Sequence, residues 1–201
     1  MIHLPALRHS RRAKRSAQIQ PVPSEVERLE DRTLLSSGTF FNTFTRQLSI
    51  QADAADSVAI SVVSGNVLVN CQTPTTGPLS ANIVQSITVT GGPGANLIDL
   101  SGVRTADFTT LTLVRADGRH GNDTILGSDF NDLFFGNDGN DSITGGAAGN
   151  DTIDGGNGHD TINAGIGTDS IFGGDGNDVI NGEDDADTID GGHGEDTIDG
   201  G

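Results

Sequence analysis

From Gly118 onward the chain repeats itself every nine residues, and a fixed short period constrains a fold more than any local propensity does. The frames are GRHGNDTIL (118–126), GSDFNDLFF (127–135), GNDGNDSIT (136–144), GGAAGNDTID (145–154, one residue longer), GGNGHDTIN (155–163), AGIGTDSIF (164–172), GGDGNDVIN (173–181), GEDDADTID (182–190) and GGHGEDTID (191–199). Position six is aspartate in every frame: Asp123, Asp132, Asp141, Asp151, Asp160, Asp169, Asp178, Asp187 and Asp196. Position eight is always apolar: Ile125, Phe134, Ile143, Ile153, Ile162, Ile171, Ile180, Ile189 and Ile198. A disordered acidic tail has no reason to keep both columns, so the repeat is structural.

Each nonad reads as a six-residue glycine-rich turn followed by a three-residue strand whose middle side chain faces inward. Burial of one aliphatic side chain contributes about 2–3 kcal/mol, whereas ordering each backbone residue costs about 1–2 kcal/mol. Stacked coils also stack carboxylates, at about 4.8 Å, where two charges repel by roughly 0.9 kcal/mol even in water. The segment from Gly118 holds nineteen acidic residues against one basic residue, Arg119, within a chain of net charge −17. Such a surface disfavours nucleic acid and anionic lipid and calls for a cation. Calcium fits: it takes six to eight oxygens, from carboxylates and main-chain carbonyls together. Glycine reaches the left-handed backbone that turns carbonyls inward.

The repeat resembles the RTX (hemolysin-type) calcium-binding nonapeptide G-G-x-G-x-D-x-U-x, across 84 of the 201 residues. The resemblance implies an all-β fold, a right-handed parallel β-roll or β-solenoid with two nonads per coil. It also implies calcium between repeat n and repeat n+2. The carboxylate pairs implied are Asp123 with Asp141, Asp132 with Asp151, Asp141 with Asp160, Asp151 with Asp169, Asp160 with Asp178, Asp169 with Asp187 and Asp178 with Asp196, at most about seven ions. Turn glycines Gly156, Gly158, Gly165, Gly167, Gly174, Gly176, Gly192 and Gly194 would lend carbonyl oxygens. Three turns depart from the pattern: Phe130 replaces the fourth-position glycine, one residue is inserted among Ala147, Ala148 and Gly149, and Glu183-Asp184-Asp185 replaces three turn residues. Sites between Gly155 and Asp178 are expected to be the strongest.

Residues 1–37 are basic and then polar, with seven of the eleven Lys and Arg between Arg8 and Arg32. They are expected to be mostly disordered, with a short helix near Glu25 to Leu35. Leu29-Glu30-Asp31-Arg32-Thr33-Leu34-Leu35 resembles the LEPR-XLL motif of large exported bacterial proteins, with Asp31 in place of its proline; the competing reading is a chance amphipathic turn. No apolar core follows the basic residues as in a cleavable secretory signal, and no run approaches the ~20 residues needed to cross a bilayer. Residues 38–117 alternate in β-branched runs such as Val58–Val62 and Ile83–Thr90, the pattern of strands and turns. Gly91–Asp99 fits the nonad frame with Asn96 at position six, where any site would be weak. A degenerate solenoid that caps the roll, its end closed by Phe40, Phe41 and Phe44, competes with a separate small β-sandwich. The single cysteine, Cys71, excludes an internal disulfide.

These readings predict a calcium-binding module of an extracellular or cell-surface protein, with calcium-coupled folding and structural or adhesive use. Extracellular calcium modules bind at about 10⁻⁴–10⁻³ M, so the array is expected to stay open in a calcium-poor cytosol. No H-E-x-x-H or G-x-S-x-G occurs in the chain, and the chain is expected not to be an enzyme. The alternative is the calcium-binding part of a secreted enzyme whose catalytic domain lies outside this sequence. His120, His159 and His193 fall at turn positions and are expected to face solvent. A Thr/Ser column at position seven (Thr124, Ser142, Thr152, Thr161, Ser170, Thr188, Thr197) is expected to form an outward hydroxyl ladder, a surface for ice or sugar or simply good strand chemistry. No residue specifies a cell-surface partner.

Overall fold

The computed structural model describes residues 39–52, 57–70 and 79–201. The basic segment, its Leu29–Leu35 motif and the helix expected near Glu25 lie outside these residues, as does Cys71. The described chain is built almost wholly of short strands, with one 3-10 turn at Ala81–Ile83. One sheet has the order β1 (Thr39–Asn42), β2 (Gln47–Gln51), β6 (Ser86–Thr90), β8 (Leu113–His120), β10 (Asp132–Asp138), β12 (Thr152–Asn157), β14 (Ser170–Asp175) and β16 (Thr188–His193). The other runs β17 (Thr197–Asp199), β15 (Val179–Asp184), β13 (Thr161–Ile166), β11 (Ser142–Thr144), β9 (Thr124–Leu126), β7 (Leu97–Asp99), β3 (Ser57–Val63), β4 (Asn66–Val69) and β5 (Leu79–Ser80).

From β6 onward the chain alternates between the sheets, and from β8 onward each strand lies parallel to the strand two before it. This is a parallel β-roll, and a single nonad cannot fold alone because its inward side chain needs the coils on either side. The strands of residues 39–117 enter the same two sheets: β2 pairs with β6, β6 with β8, and β3 with β7, all in parallel. They form no separate sandwich. Antiparallel strands flank this end, with β1 on β2, β4 on β3 and β5 on β4.

The interior is two facing ladders. In the first sheet Ile50, Val89, Ala116, Phe134, Ile153, Ile171 and Ile189 stand in register; in the second, Val58, Ile98, Ile125, Ile143, Ile162, Ile180 and Ile198 do so, although in the last coil Ile189 is half-buried and Ile198 is exposed because no further coil among the described residues covers them. The small Ala116 makes room for the large Phe134 beside it. Phe41 packs partly against this core, but Phe44 is 82% exposed, so it does not close the end as expected from sequence. Phe44 sits in the β1–β2 turn, where its backbone N–H is held by the Asn42 side chain and its ring is directed away from the core.

Candidate metal centre

Position six is where strand and turn meet, and there the turn delivers a carboxylate to the interior. Asp123, Asp132, Asp141, Asp151, Asp160, Asp169 and Asp178 are all buried. The coil repeat sets them in two columns. Within each column one carboxylate oxygen accepts the backbone N–H of the aspartate one coil earlier. Asp141 takes that of Asp123 at 2.7 Å, Asp151 that of Asp132 at 2.8 Å, and Asp160 that of Asp141 at 2.8 Å. The same bond joins Asp169 to Asp151 (2.7 Å), Asp178 to Asp160 (2.8 Å), Asp187 to Asp169 (2.9 Å) and Asp196 to Asp178 (3.0 Å). The structure therefore brings together each of the seven pairs drawn from the sequence.

The other oxygen has a different fate. Oδ2 of Asp123, Asp141, Asp160, Asp169, Asp178 and Asp187 is buried with no hydrogen-bond partner. An orphaned buried carboxylate oxygen is costly, and removal of carboxylates from water raises several of the pKa values in these columns. Burial pushes Asp123, Asp141 and Asp160 up to about 6, Asp132 to about 7 and Asp151 to about 8, each against the lowering effect of a donated backbone N–H. Asp169 is raised for the same reason. A proton or a cation must satisfy these atoms.

The turns around them expose main-chain oxygen. Gly156, Gly158, Gly165, Gly167, Gly174, Gly176, Gly192 and Gly194, at positions two and four, all have φ between 87° and 150°. Gly176 illustrates why: the Gly158 carbonyl oxygen of the preceding coil stands where a Cβ would project. The Gly176 carbonyl in turn faces Gly194, so carbonyls line the gap between stacked turns. At position one, Oδ2 of Asp160 points at the bare Cα of Gly155, next to the Gly173 carbonyl. Among the described residues no three His, Cys, Asp or Glu side chains converge on one point. The donor set is thus carboxylate plus carbonyl oxygen, which suits a hard cation of flexible coordination rather than a nitrogen- or sulfur-seeking metal.

Departures in sequence become departures in geometry. Arg119, Asn137, Glu183 and Asp185 occupy positions two or four and keep positive φ (79°, 72°, 70° and 86°) although none is glycine. The second repeat instead abandons the left-handed turn: Ser128 and Phe130 are absent from the positive-φ residues. Ser128 donates its N–H and its hydroxyl to the two oxygens of Asp132, both at 2.7 Å, leaving that carboxylate satisfied without a cation. Asn96 extends one column a coil further, donating its N–H to Asp123 at 2.6 Å, while its Oδ1 accepts the Gly92 N–H.

Position five carries a ladder that sequence reasoning passed over. The Asn122 side-chain oxygen accepts the N–H of Asn140, Asn140 that of His159, and Asn177 that of Glu195; His159 fills its rung by accepting the Asn177 N–H at Nδ1. The recurrence of Asn at this position was its visible signal. His120 and His193 are exposed and hydrogen-bond to Asp138 and Asp175 one coil away, at 2.7 and 2.9 Å. Outside, Ser142, Thr152, Thr161, Ser170, Thr188 and Thr197 are exposed. A shallow groove of about 340 Å³ lies on the first sheet, floored by Gly156 and Gly174 and walled by Asp138, Asp154, Phe172 and Asp175. No helix among the described residues is long and apolar enough to cross a membrane.

Comparison with known proteins agrees with this geometry. The family model of the RTX calcium-binding nonapeptide repeat (4 copies) matches residues 117–148, 146–171 and 172–201. No curated protein and no solved structure matches the chain. The buried aspartate columns, the left-handed glycines and the family match coincide on one segment, and residues 117–201 are an array of RTX calcium-binding nonapeptide repeats.

Proposed function

We propose that the array binds several calcium ions, up to about seven, between successive same-side turns. We further propose that it serves a structural or adhesive role outside the cell or at its surface. The observation that carries the site assignment is the row of buried Oδ2 atoms without partners beside left-handed glycines. Asp123, Asp141, Asp160, Asp169, Asp178 and Asp187 would hold the ions with their free oxygens, assisted by carbonyls of turn glycines such as Gly158 and Gly176. Calcium supplies the positive charge that lets stacked carboxylates remain ionised in the interior.

The extracellular reading rests on the affinity range of such modules. At ten times its dissociation constant each site adds about 1.4 kcal/mol to the folded state. Several sites acting together turn a marginal roll into a stable one where calcium is millimolar. The work done by these residues is structural, not catalytic. Circular dichroism with calcium titration is the test, magnesium serving as control. A gain of β-structure with calcium, weakened in an Asp160→Asn, Asp178→Asn double variant, is expected. An equal response to magnesium, or none to calcium, overturns the assignment.

A further inference from the structure

The two ends of the solenoid fill the same interior by different means. In the first sheet Leu48, Ile87 and Val114 stand in register one above the other, and Val114 is in register with Asp132. Asp132 begins the column that continues as Asp151, Asp169 and Asp187. The inward column that is carboxylate in the array is therefore hydrocarbon in the coils before it. Those coils bury further apolar side chains, Leu100, Val103, Phe108 and Leu111, beyond the two facing ladders. At the junction, Asp132 is saturated by Ser128 and the Asn96 side-chain oxygen accepts the Gly92 N–H, each within its own turn, while the uncharged Asn96 Nδ2 is left buried without a partner. Beyond β10 the interior offers one apolar residue per nonad and a run of orphaned carboxylate oxygens.

We infer that strands β1 to β10 form a calcium-independent nucleus, and that the coils from β12 onward close upon it in N-to-C order as calcium binds. This rests on the calcium reading proposed above. In a stacked solenoid each coil is stabilised by its neighbours, and starting a coil without a neighbour carries the loop-closure cost with no edge to receive it. The coils up to β8 can form without an ion because their inward column holds Leu48, Ile87 and Val114 and no carboxylate, and at the junction Asp132 is saturated by Ser128. Their last strand, β10, then presents the Phe134 ring and an open backbone edge to β12, and in the other sheet the Asp123 carboxylate stands just before β9. Calcium acts on elongation, and the hydrocarbon coils set where elongation begins.

Hydrogen exchange of the full chain, followed by mass spectrometry, tests this. In calcium-stripped buffer, amides of β2, β3, β6, β7 and β8 are expected to be protected while those of β12 to β17 exchange freely. On titration with calcium alone, β12 and β13 are expected to gain protection at lower concentration than β16 and β17. A chain wholly unprotected without calcium, gaining protection everywhere at one concentration, overturns the nucleus and leaves calcium binding intact. Protection of β12 to β17 without calcium, or none with it, removes the calcium reading and the inference with it. Two variants separate nucleation from local damage. Val114→Asp is expected to raise several-fold the calcium needed to protect β14 to β17, none of which pairs with the substituted strand. Ile180→Asp is expected to leave the calcium-free protection of β2 to β8 unchanged. An unshifted calcium midpoint in V114D, or lost protection of β2 to β8 in I180D, also overturns the nucleus.

Discussion

Val114 and Asp132 are register partners on adjacent parallel strands, both buried, at the point where the inward column changes from hydrocarbon to carboxylate. Asp132 tolerates this place because Ser128 saturates both its oxygens. The aspartates after it mostly have no such donor. The same fold position is thus closed by dispersion and hydrophobic burial in one coil, by local hydrogen bonds in the next, and by orphaned oxygens that suit a cation in those that follow.

Aspartates in the columns should accordingly differ in what they contribute. Asp160 is paired on both sides, with Asp141 and Asp178, and its Oδ2 is orphaned; Asp132 is saturated by Ser128. Asp160→Asn should raise the calcium midpoint of folding and, by impairing two adjacent sites, forfeit about 1–3 kcal/mol at a calcium concentration near ten times the dissociation constant. Asp132→Asn should change the midpoint little, because an amide can still serve Ser128. Calcium titrations of the two variants, read by circular dichroism, give the comparison. Equal losses contradict the view that the orphaned oxygens are the ligands.

The roll was legible because its period is written in every repeat: Asp169 and Ile171 fix one coil as Asp151 and Ile153 fix the one before. The pairing of Asp n with Asp n+2 comes from the family resemblance, which implies two nonads to the coil. What the sequence did not disclose depends on contacts between columns. Nothing in the sequence marks Ser128 at position two, and only the folded turn aims its hydroxyl at Asp132. The continuation of the aspartate column as Val114, Ile87 and Leu48 was hidden because the coils before Gly118 lack a constant length, so no period aligns them. Phe44 departs from expectation because three phenylalanines in five residues look like a cluster, whereas turn geometry sends this one outward.

Turn glycines should be intolerant of alanine in proportion to what stands at their missing Cβ. At Gly176, with φ of 143°, a Cβ would meet the Gly158 carbonyl carbon and oxygen, which are backbone and cannot swing away. Gly65 has φ of 77° but nothing within 4 Å of the added atom. Gly65→Ala should cost only the left-handed penalty of about 1–2 kcal/mol. Gly176→Ala should cost more than that and should also weaken calcium binding, since the displaced carbonyl borders the site. Thermal melts at saturating and limiting calcium resolve the two effects; similar melting losses in both variants count against close stacking of the turns.

The buried carboxylates also fix the direction of a pH dependence. Burial raises Asp123, Asp141 and Asp160 to about 6, Asp132 to about 7 and Asp151 to about 8, all above the ordinary carboxylate range. A folded state that holds protons more tightly than the unfolded chain gains stability that is full below the unfolded value and is lost as pH rises through the folded ones. Without calcium, β-structure in the array should therefore decline between pH 4 and 8. Asp138 runs the other way, held low by the Asn157 amide and by His120, but it is fully exposed and its effect is screened. Calcium reverses the sign, because it competes with protons for the same oxygens: its apparent affinity should rise from pH 5 to pH 8. Circular dichroism in calcium-stripped buffer at several pH values, repeated at fixed calcium, should give opposite slopes. Parallel slopes would mean that protons and calcium do not share the Asp141, Asp160 and Asp169 carboxylates.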